Sequence, residues 1–269
     1  MYKLFQLFLS GKKDAPKTYN SAPHNHIMVF GGQKTKILDM NDKNKICGDL
    51  ESVPDFSEPY LAGTEMTSGT LFNGKPVICG GSNLNGGVSS VCSIYEKSGW
   101  HKFSTMSEPR QYHSSIQLNE NQLWIIGGQG RQSSDIIYTN GTAISGPKMP
   151  YENFMWNCVT KLHNGTILFV GGFENRKTTI LYELSSESFR YGPDMIFARQ
   201  GPGCTLFYSP LHNGRPVIIV TGGMFGNRVS GNGEDKTEIW DYTKTNKWLQ
   251  SKLIVISKFI ILFSVNAKI

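Results

Sequence analysis

The chain of 269 residues lacks several features that would name a function directly. It has no block of five or more Lys and Arg, so its net charge of +6 does not form the basic stripe that nucleic-acid binding uses. That charge reads as solvated surface with weak attraction for acidic partners. No apolar segment reaches the ~20 residues that a membrane-spanning helix needs; the stretch from Leu253 to Val265 is shorter and is broken by Lys258. The opening MYKLFQLFLSGKK is interrupted by Gln6 and is not closely followed by a small-x-small cleavage site, which makes it weak as a secretory signal. Neither a G-x-S-x-G elbow nor a phosphate-cradling glycine loop occurs, and Gly86-Gly87 falls in a variable loop. No His/Cys/Asp group has metal-ligand spacing. The expectation is a chain that spans no membrane, binds no nucleic acid, and carries no cofactor, metal or catalytic residue.

What the chain does have is glycine in a pattern. Length alone does not choose between one large all-β domain and two smaller ones, but internal repetition does. Five apolar runs, HIMVFGG, PVICGG, LWIIGG, ILFVGG and VIIVTGG, end in the pairs Gly31-Gly32, Gly80-Gly81, Gly127-Gly128, Gly171-Gly172 and Gly222-Gly223. The pairs recur at intervals of about 44 to 51 residues. Before four of them stands a short strand and a turn: LFNGKP, LNENQ, LHNGT and LHNGRP. Asn-Gly between apolar runs is a strong hairpin signal, because both residues tolerate the positive φ of a tight turn. After each pair comes a polar loop and then an alternating strand such as SSVCSIYE, TTILYEL or KTEIWDY. A fourth strand begins at Trp100, Ile144, Phe189 or Trp248. Four antiparallel strands per unit describe a propeller blade.

The residue types fit this geometry. A second strand covered on both faces reads as continuous Val, Ile, Leu and Phe. Tyr95, Tyr138, Tyr182 and Trp240 on the third strands, with Trp100, Phe189 and Trp248, are expected to fill the wedges between blades, each buried ring contributing roughly 2–3 kcal/mol.

A glycine pair, a variable loop, Tyr and then Trp resembles the kelch repeat, over about residues 27–250. The resemblance implies an all-β, kelch-type β-propeller of five four-stranded units. Residues 1–26 are a separate N-terminal segment, either a weak signal or a partial strand. Residues 251–269 form a divergent apolar tail that could add a strand to an incomplete six-bladed ring. The first unit is weak, with Leu38 and Met40 where an aromatic is expected, and no BTB-like helical segment precedes the repeats. A ubiquitin-ligase adaptor role is therefore not implied. Galactose-oxidase-type copper enzymes share this fold and would need two tyrosines and two histidines converging near the axis. The six histidines do not suit: His24 and His26 lead into the first unit, His101 is in an outer strand, His163 and His212 sit in hairpin turns, and His113 lies at the opposite end.

The arrangement CGG…C at Cys79 and Cys92, with Cys47 upstream, looks like kelch-type proteins that are secreted. It makes Cys79 and Cys92 candidates for a disulfide; the alternative is that all five cysteines, Cys158 and Cys204 included, are buried free thiols in the cytosol. The sequons Asn140-Gly141-Thr142 and Asn164-Gly165-Thr166 are compatible with secretion and are also plain turn sequences. The extracellular reading is preferred.

Kelch-type resemblance implies a non-catalytic protein-interaction module that binds through loops on one face. After the glycine pairs the candidate contacts are Asn83, Asn85, Arg131, Phe173, Glu174, Arg176, Phe225, Asn227 and Arg228. Entering the inner strands they are Arg110, Tyr112, His113, Tyr151, Arg199 and Gln200. Arginines and aromatics suggest a protein or peptide partner of acidic character, although Arg110 and Arg199 could instead bind carbonyls between blades. The alternatives are a galactose-oxidase-like or carbohydrate-active enzyme and a truncated, non-functional fragment.

Overall fold

A computed structural model describes the backbone of residues 7–9, 26–31, 34–39 and 51–52. It describes backbone and side chains of residues 68–82, 87–96, 99–174, 176–209, 212–223 and 236–251. The described chain is all-β and contains no α-helix. It forms five four-stranded antiparallel sheets, each a meander in chain order. The first comprises β1 (Leu7–Leu9), β2 (His26–Gly31), β3 (Lys34–Asp39) and β4 (Glu51–Ser52). Its first strand thus comes from the N-terminal segment, through the pairing of Leu7 with Val29 and Leu9 with Ile27.

The second sheet holds β5 (Ser68–Phe72), β6 (Lys75–Cys79), β7 (Val91–Glu96) and β8 (Gly99–Thr105). The third holds β9 (Ser114–Asn119), β10 (Gln122–Ile126), β11 (Ser134–Tyr138) and β12 (Ala143–Ser145). In the fourth are β13 (Cys158–Lys161), β14 (Ile167–Val170), β15 (Thr179–Glu183) and β16 (Ser188–Tyr191). In the fifth are β17 (Gly203–Ser209), β18 (Arg215–Thr221), β19 (Thr237–Trp240) and β20 (Leu249–Ser251).

Sheets two to five stand side by side in a propeller arrangement: β5 lies against β9, β9 against β13, and β13 against β17. First strands therefore form the inner edge and fourth strands the exposed rim. The second strands are the buried layer, as their unbroken apolar sequences require; Leu123 to Ile126 and Ile167 to Val170 have no exposed surface. Three apolar clusters fill the wedges between successive sheets.

The glycine pairs lock each blade to the next. The eight members in sheets two to five, from Gly80 to Gly223, have φ between 61° and 126°, a region costly for any residue with a Cβ. The second glycine donates its N–H to a carbonyl of the following blade's entry loop: Gly81 to Arg110 at 2.8 Å, Gly128 to Phe154 at 2.9 Å and Gly172 to Arg199 at 3.0 Å. A Cβ on Gly80, Gly127 or Gly171 would collide with those same carbonyl oxygens.

Register aligns the blades and corrects two expectations. The residues opposite Cys79, Ile126, Val170 and Thr221 are Cys92, Ser134, Thr179 and Thr237. Three positions further on lie Tyr95, Ile137, Tyr182 and Trp240. Thus Ile137, fully buried, takes the wedge position expected for Tyr138, because a one-residue step along a strand turns a side chain to the other face. Across from Ile137 stands Ala143, where Tyr95 faces Trp100 and Tyr182 faces Phe189. Ile144, expected to open the fourth strand as Trp100 does, follows Ala143 in it and is 45% exposed. Where both partners are aromatic, their rings meet: Tyr95–Trp100 at 5.3 Å, Tyr182–Phe189 at 4.7 Å and Trp240–Trp248 at 5.5 Å, pairs worth about 0.5–1.5 kcal/mol beyond burial.

Candidate functional site

The loops that enter the inner strands and those that follow the glycine pairs meet at one end of the sheets, where hydrogen bonds between them are dense. Two residues before β9, β13 and β17 stand Tyr112, Trp156 and Gly201, with φ of 59°, 59° and 60°. Their backbones form a relay along the inner edge: Trp156 donates to the Tyr112 carbonyl at 3.0 Å, and Gly201 donates to the Trp156 carbonyl at 2.8 Å. A left-handed φ on two bulky aromatics is uncommon and is held by surrounding contacts.

On this relay sits a row of rings. Tyr112 meets Trp156 edge to face at 5.0 Å, and Trp156 meets Phe173 edge to face at 5.6 Å. Phe173 is 37% exposed, and Tyr112 and Trp156 are partly buried. The Phe173 N–H donates to Met155 at 3.0 Å, and its carbonyl accepts from the buried Gln200 Nε2 at 3.1 Å. Amides surround the rings: Gln111 Nε2 donates to Gln129 Oε1 at 2.5 Å, Asn153 Nδ2 to Glu174 Oε1 at 3.2 Å, and Asn153 Oδ1 accepts from Gly130 N–H at 2.7 Å. Tyr151 packs its ring on Phe154 at 5.0 Å and is partly buried.

Several expected contacts are elsewhere. Arg110 and Arg199 have 1% and 0% of their surface exposed and face inward, a correction to their place among partner contacts. Arg110 Nε and Nη2 donate to Asp135 Oδ2 at 3.0 and 2.8 Å, and Nη1 to the carbonyls of Gly127 and Ser133. Arg199 repeats this with Glu238 Oε1 at 3.2 Å and the carbonyls of Gly222 and Lys236. Burial pushes the Arg199 guanidinium below its ordinary value, and Glu238 opposes that shift. His113 is also enclosed; burial and then the Arg110 charge lower its pKa to about 3. Gln200 is buried, with 4% of its surface exposed.

Of the remaining arginines, Arg131 pairs with Glu108 at 2.8 Å and Arg176 Nε donates to the Phe173 carbonyl at 3.2 Å. Asn83, Asn85, Phe225, Asn227 and Arg228 lie outside the described residues, as do Cys47 and the tail from residue 252.

The histidines with described side chains are separated. His101 is exposed, His163 Nδ1 bonds Tyr242 Oη at 2.5 Å and His212 Nδ1 bonds Ser209 Oγ at 2.8 Å. Among the described residues, no group of three His, Cys, Asp or Glu is placed to hold a metal, and no helix is long and apolar enough to cross a membrane. A shallow depression lined by Asn119, Glu120, Asn121, Gln122 and Tyr138 lies at the other end of the sheets, among hairpin turns.

Two features escaped sequence reasoning. Trp156 is central to the ring row, and its signal was its shared offset with Tyr112 before an inner strand. Cys158 is bonded to Cys204, joining β13 to β17 across two blades, in addition to the bond between Cys79 and Cys92 within one sheet. Both residues of the inter-blade bridge lie at the start of successive inner strands, so only the repeat alignment could have paired them. No protein-family model matches this chain, and no curated protein is significantly similar to it.

Proposed function

We propose that this is a kelch-type propeller that binds a protein partner through its loop face and carries out no chemistry of its own. The observation that supports the reading is the row Tyr112, Trp156 and Phe173, partly exposed and fixed by backbone bonds between consecutive blades. Tyr and Trp dominate binding hot spots, and rings already held in place lose little conformational freedom on association. The ligand reading shifts with the arginines. With Arg110 and Arg199 inside and Arg131 and Arg176 engaged, the arginines no longer single out an acidic ligand, and the side chains of the ring row and its surroundings are aromatics and amides. A peptide segment presenting an apolar side chain between polar ones suits it better than an acidic one.

We further propose an extracellular or otherwise oxidising compartment, on the support of the two disulfides, which persist in such surroundings and are rare in the cytosol.

The test is a comparison of partner capture by the wild-type chain, by Trp156→Ser with Phe173→Ser, and by a hairpin-end control, Asn121→Arg. Loss of two hot-spot rings should weaken a true partner by at least about 100-fold, with the control unchanged. A partner held equally by all three proteins would contradict the loop-face reading.

A further inference from the structure

Asn140 and Asn164 stand at the end of the propeller opposite the ring row. Asn140 is in the turn between β11 and β12 and Asn164 in the turn between β13 and β14. The two turns share one end: Thr139 N–H bonds the Asn121 carbonyl of the neighbouring hairpin at 3.2 Å, and Lys161 Nζ reaches the Leu118 carbonyl of the adjacent blade at 2.5 Å. Both asparagines are exposed. Each side-chain oxygen accepts the N–H of the threonine two residues on, Thr142 at 3.0 Å and Thr166 at 3.2 Å. The amide nitrogens make no bond within the described residues.

Turn chemistry does not by itself call for those threonines. The Asn-Gly turns of blades two and five have the asparagine itself at positive φ, 51° for Asn73 and 56° for Asn213, and are followed by Lys75 and Arg215. At Asn140 and Asn164 only the glycine is left-handed, Gly141 at 83° and Gly165 at 92°, and the turn bond is made by the backbone N–H of the third residue. Any non-proline residue could supply that N–H. Thr142 is exposed, so its hydroxyl is not needed for packing. The hydroxyl is, however, the feature that makes the tripeptide an acceptor for asparagine-linked glycosylation.

We propose that Asn140 and Asn164 carry N-linked glycans, which coat the hairpin end and leave the loop face clear. The inference rests on the oxidising-compartment reading above. In the reaction, Asn Nδ2 forms a bond to C1 of the first N-acetylglucosamine of a lipid-pyrophosphate-linked oligosaccharide. The C1–O bond to pyrophosphate breaks, the lipid pyrophosphate leaves with the bonding pair, and one amide proton is released. Thr166 is buried, with its Oγ1 on Glu183 Oε2 at 2.8 Å, so Asn164 is modified before blade four closes.

The experiment expresses the full chain in animal cells behind a secretory leader and measures intact mass before and after peptide-N-glycosidase, with thiol alkylation read on the same sample. The expected result is two glycans, one lost in Asn140→Gln, the other in Asn164→Gln and both in the double variant. Secreted, fully oxidised protein with either asparagine bare overturns the proposal and leaves the compartment reading intact. Alkylation of Cys79, Cys92, Cys158 and Cys204 in the lumenal chain overturns the compartment reading, and the glycan proposal with it.

Discussion

Arg110 with Asp135 and Arg199 with Glu238 occupy equivalent places in blades three and five, while blade four has Phe154 and Ile180 there, in one apolar cluster. The substitution is coordinated one step further. Asp135 also accepts the Ser107 N–H and Glu238 the Ile196 N–H, at 3.0 and 2.7 Å; each follows a methionine whose N–H bonds the preceding blade, Met106 and Met195, and after the corresponding Met149 of blade four stands Pro150, which has no N–H to satisfy. Charge, acceptor and donor thus come and go together. Arg110→Phe alone strands a buried carboxylate and should cost about 3–5 kcal/mol, whereas replacing a whole buried pair by apolar residues is often close to neutral. Ser107→Pro, Arg110→Phe and Asp135→Ile together copy blade four and should return to within about 2 kcal/mol of wild type. Urea midpoints decide it, and a triple variant as unstable as the single one refutes the equivalence.

His113 gives a second residue-scale consequence, in pH. Its folded pKa of about 3 lies below the ordinary value of 6.5. Between those values the unfolded chain takes up a proton that the folded chain does not, so stability rises with pH through this window and falls on acidification. The slope is at most about 1.4 kcal/mol per pH unit. From pH 7 to pH 5 the wild type should therefore lose about 2 kcal/mol more than His113→Asn, which places at this position the residue found in blade four, Asn157. Equal losses in the two proteins would show that His113 is protonated without penalty.

At the scale of the element, the hairpins, the buried second strands and the glycine pairs were legible because each is a local rule. Asn-Gly makes a turn, a strand covered on both faces is apolar throughout, and a backbone in contact with the next blade tolerates no Cβ. Strand phase was less legible. In blade three the sequence offers Tyr138 and Ile144, but pairing of Ile126 with Ser134 puts Ile137 and Ala143 in the wedge; hydrophobicity does not distinguish adjacent apolar residues, and only register does. The site was half legible for the same kind of reason. Tyr112 and Phe173 were found because loop aromatics stand out, whereas Arg110 and Arg199 look like surface residues until the carboxylates two strands away are brought beside them.

At the scale of the whole molecule, blades two to five depend on their neighbours, since each wedge is built from the faces of two sheets. Such arrays are only as cooperative as the interfaces between units, and the Cys158–Cys204 bridge ties one interface covalently at the inner edge. It closes a loop over a sequence separation of 46 residues, against 13 for Cys79–Cys92. Constraint of the unfolded chain grows with loop length, giving about 4 kcal/mol for the longer bridge and about 3 for the shorter. The difference in location matters more than this difference in size. Opening Cys79–Cys92 loosens a pair of strands already hydrogen-bonded in one sheet, and Cys79→Ser with Cys92→Ser should lower stability while leaving a single unfolding transition. Cys158→Ser with Cys204→Ser removes the covalent link between blades four and five, leaving the apolar wedge, the Gly172 and Gly201 backbone bonds, and side-chain bonds of Gln200 to Phe173, His163 to Tyr242 and Trp248 to Thr179 and Pro193. That variant should unfold in two steps, with Trp240 and Trp248 of blade five reporting the earlier one by fluorescence. A single transition, displaced no further than in the blade-two variant, would mean that the wedge and the hydrogen bonds around it couple the two blades without the bridge.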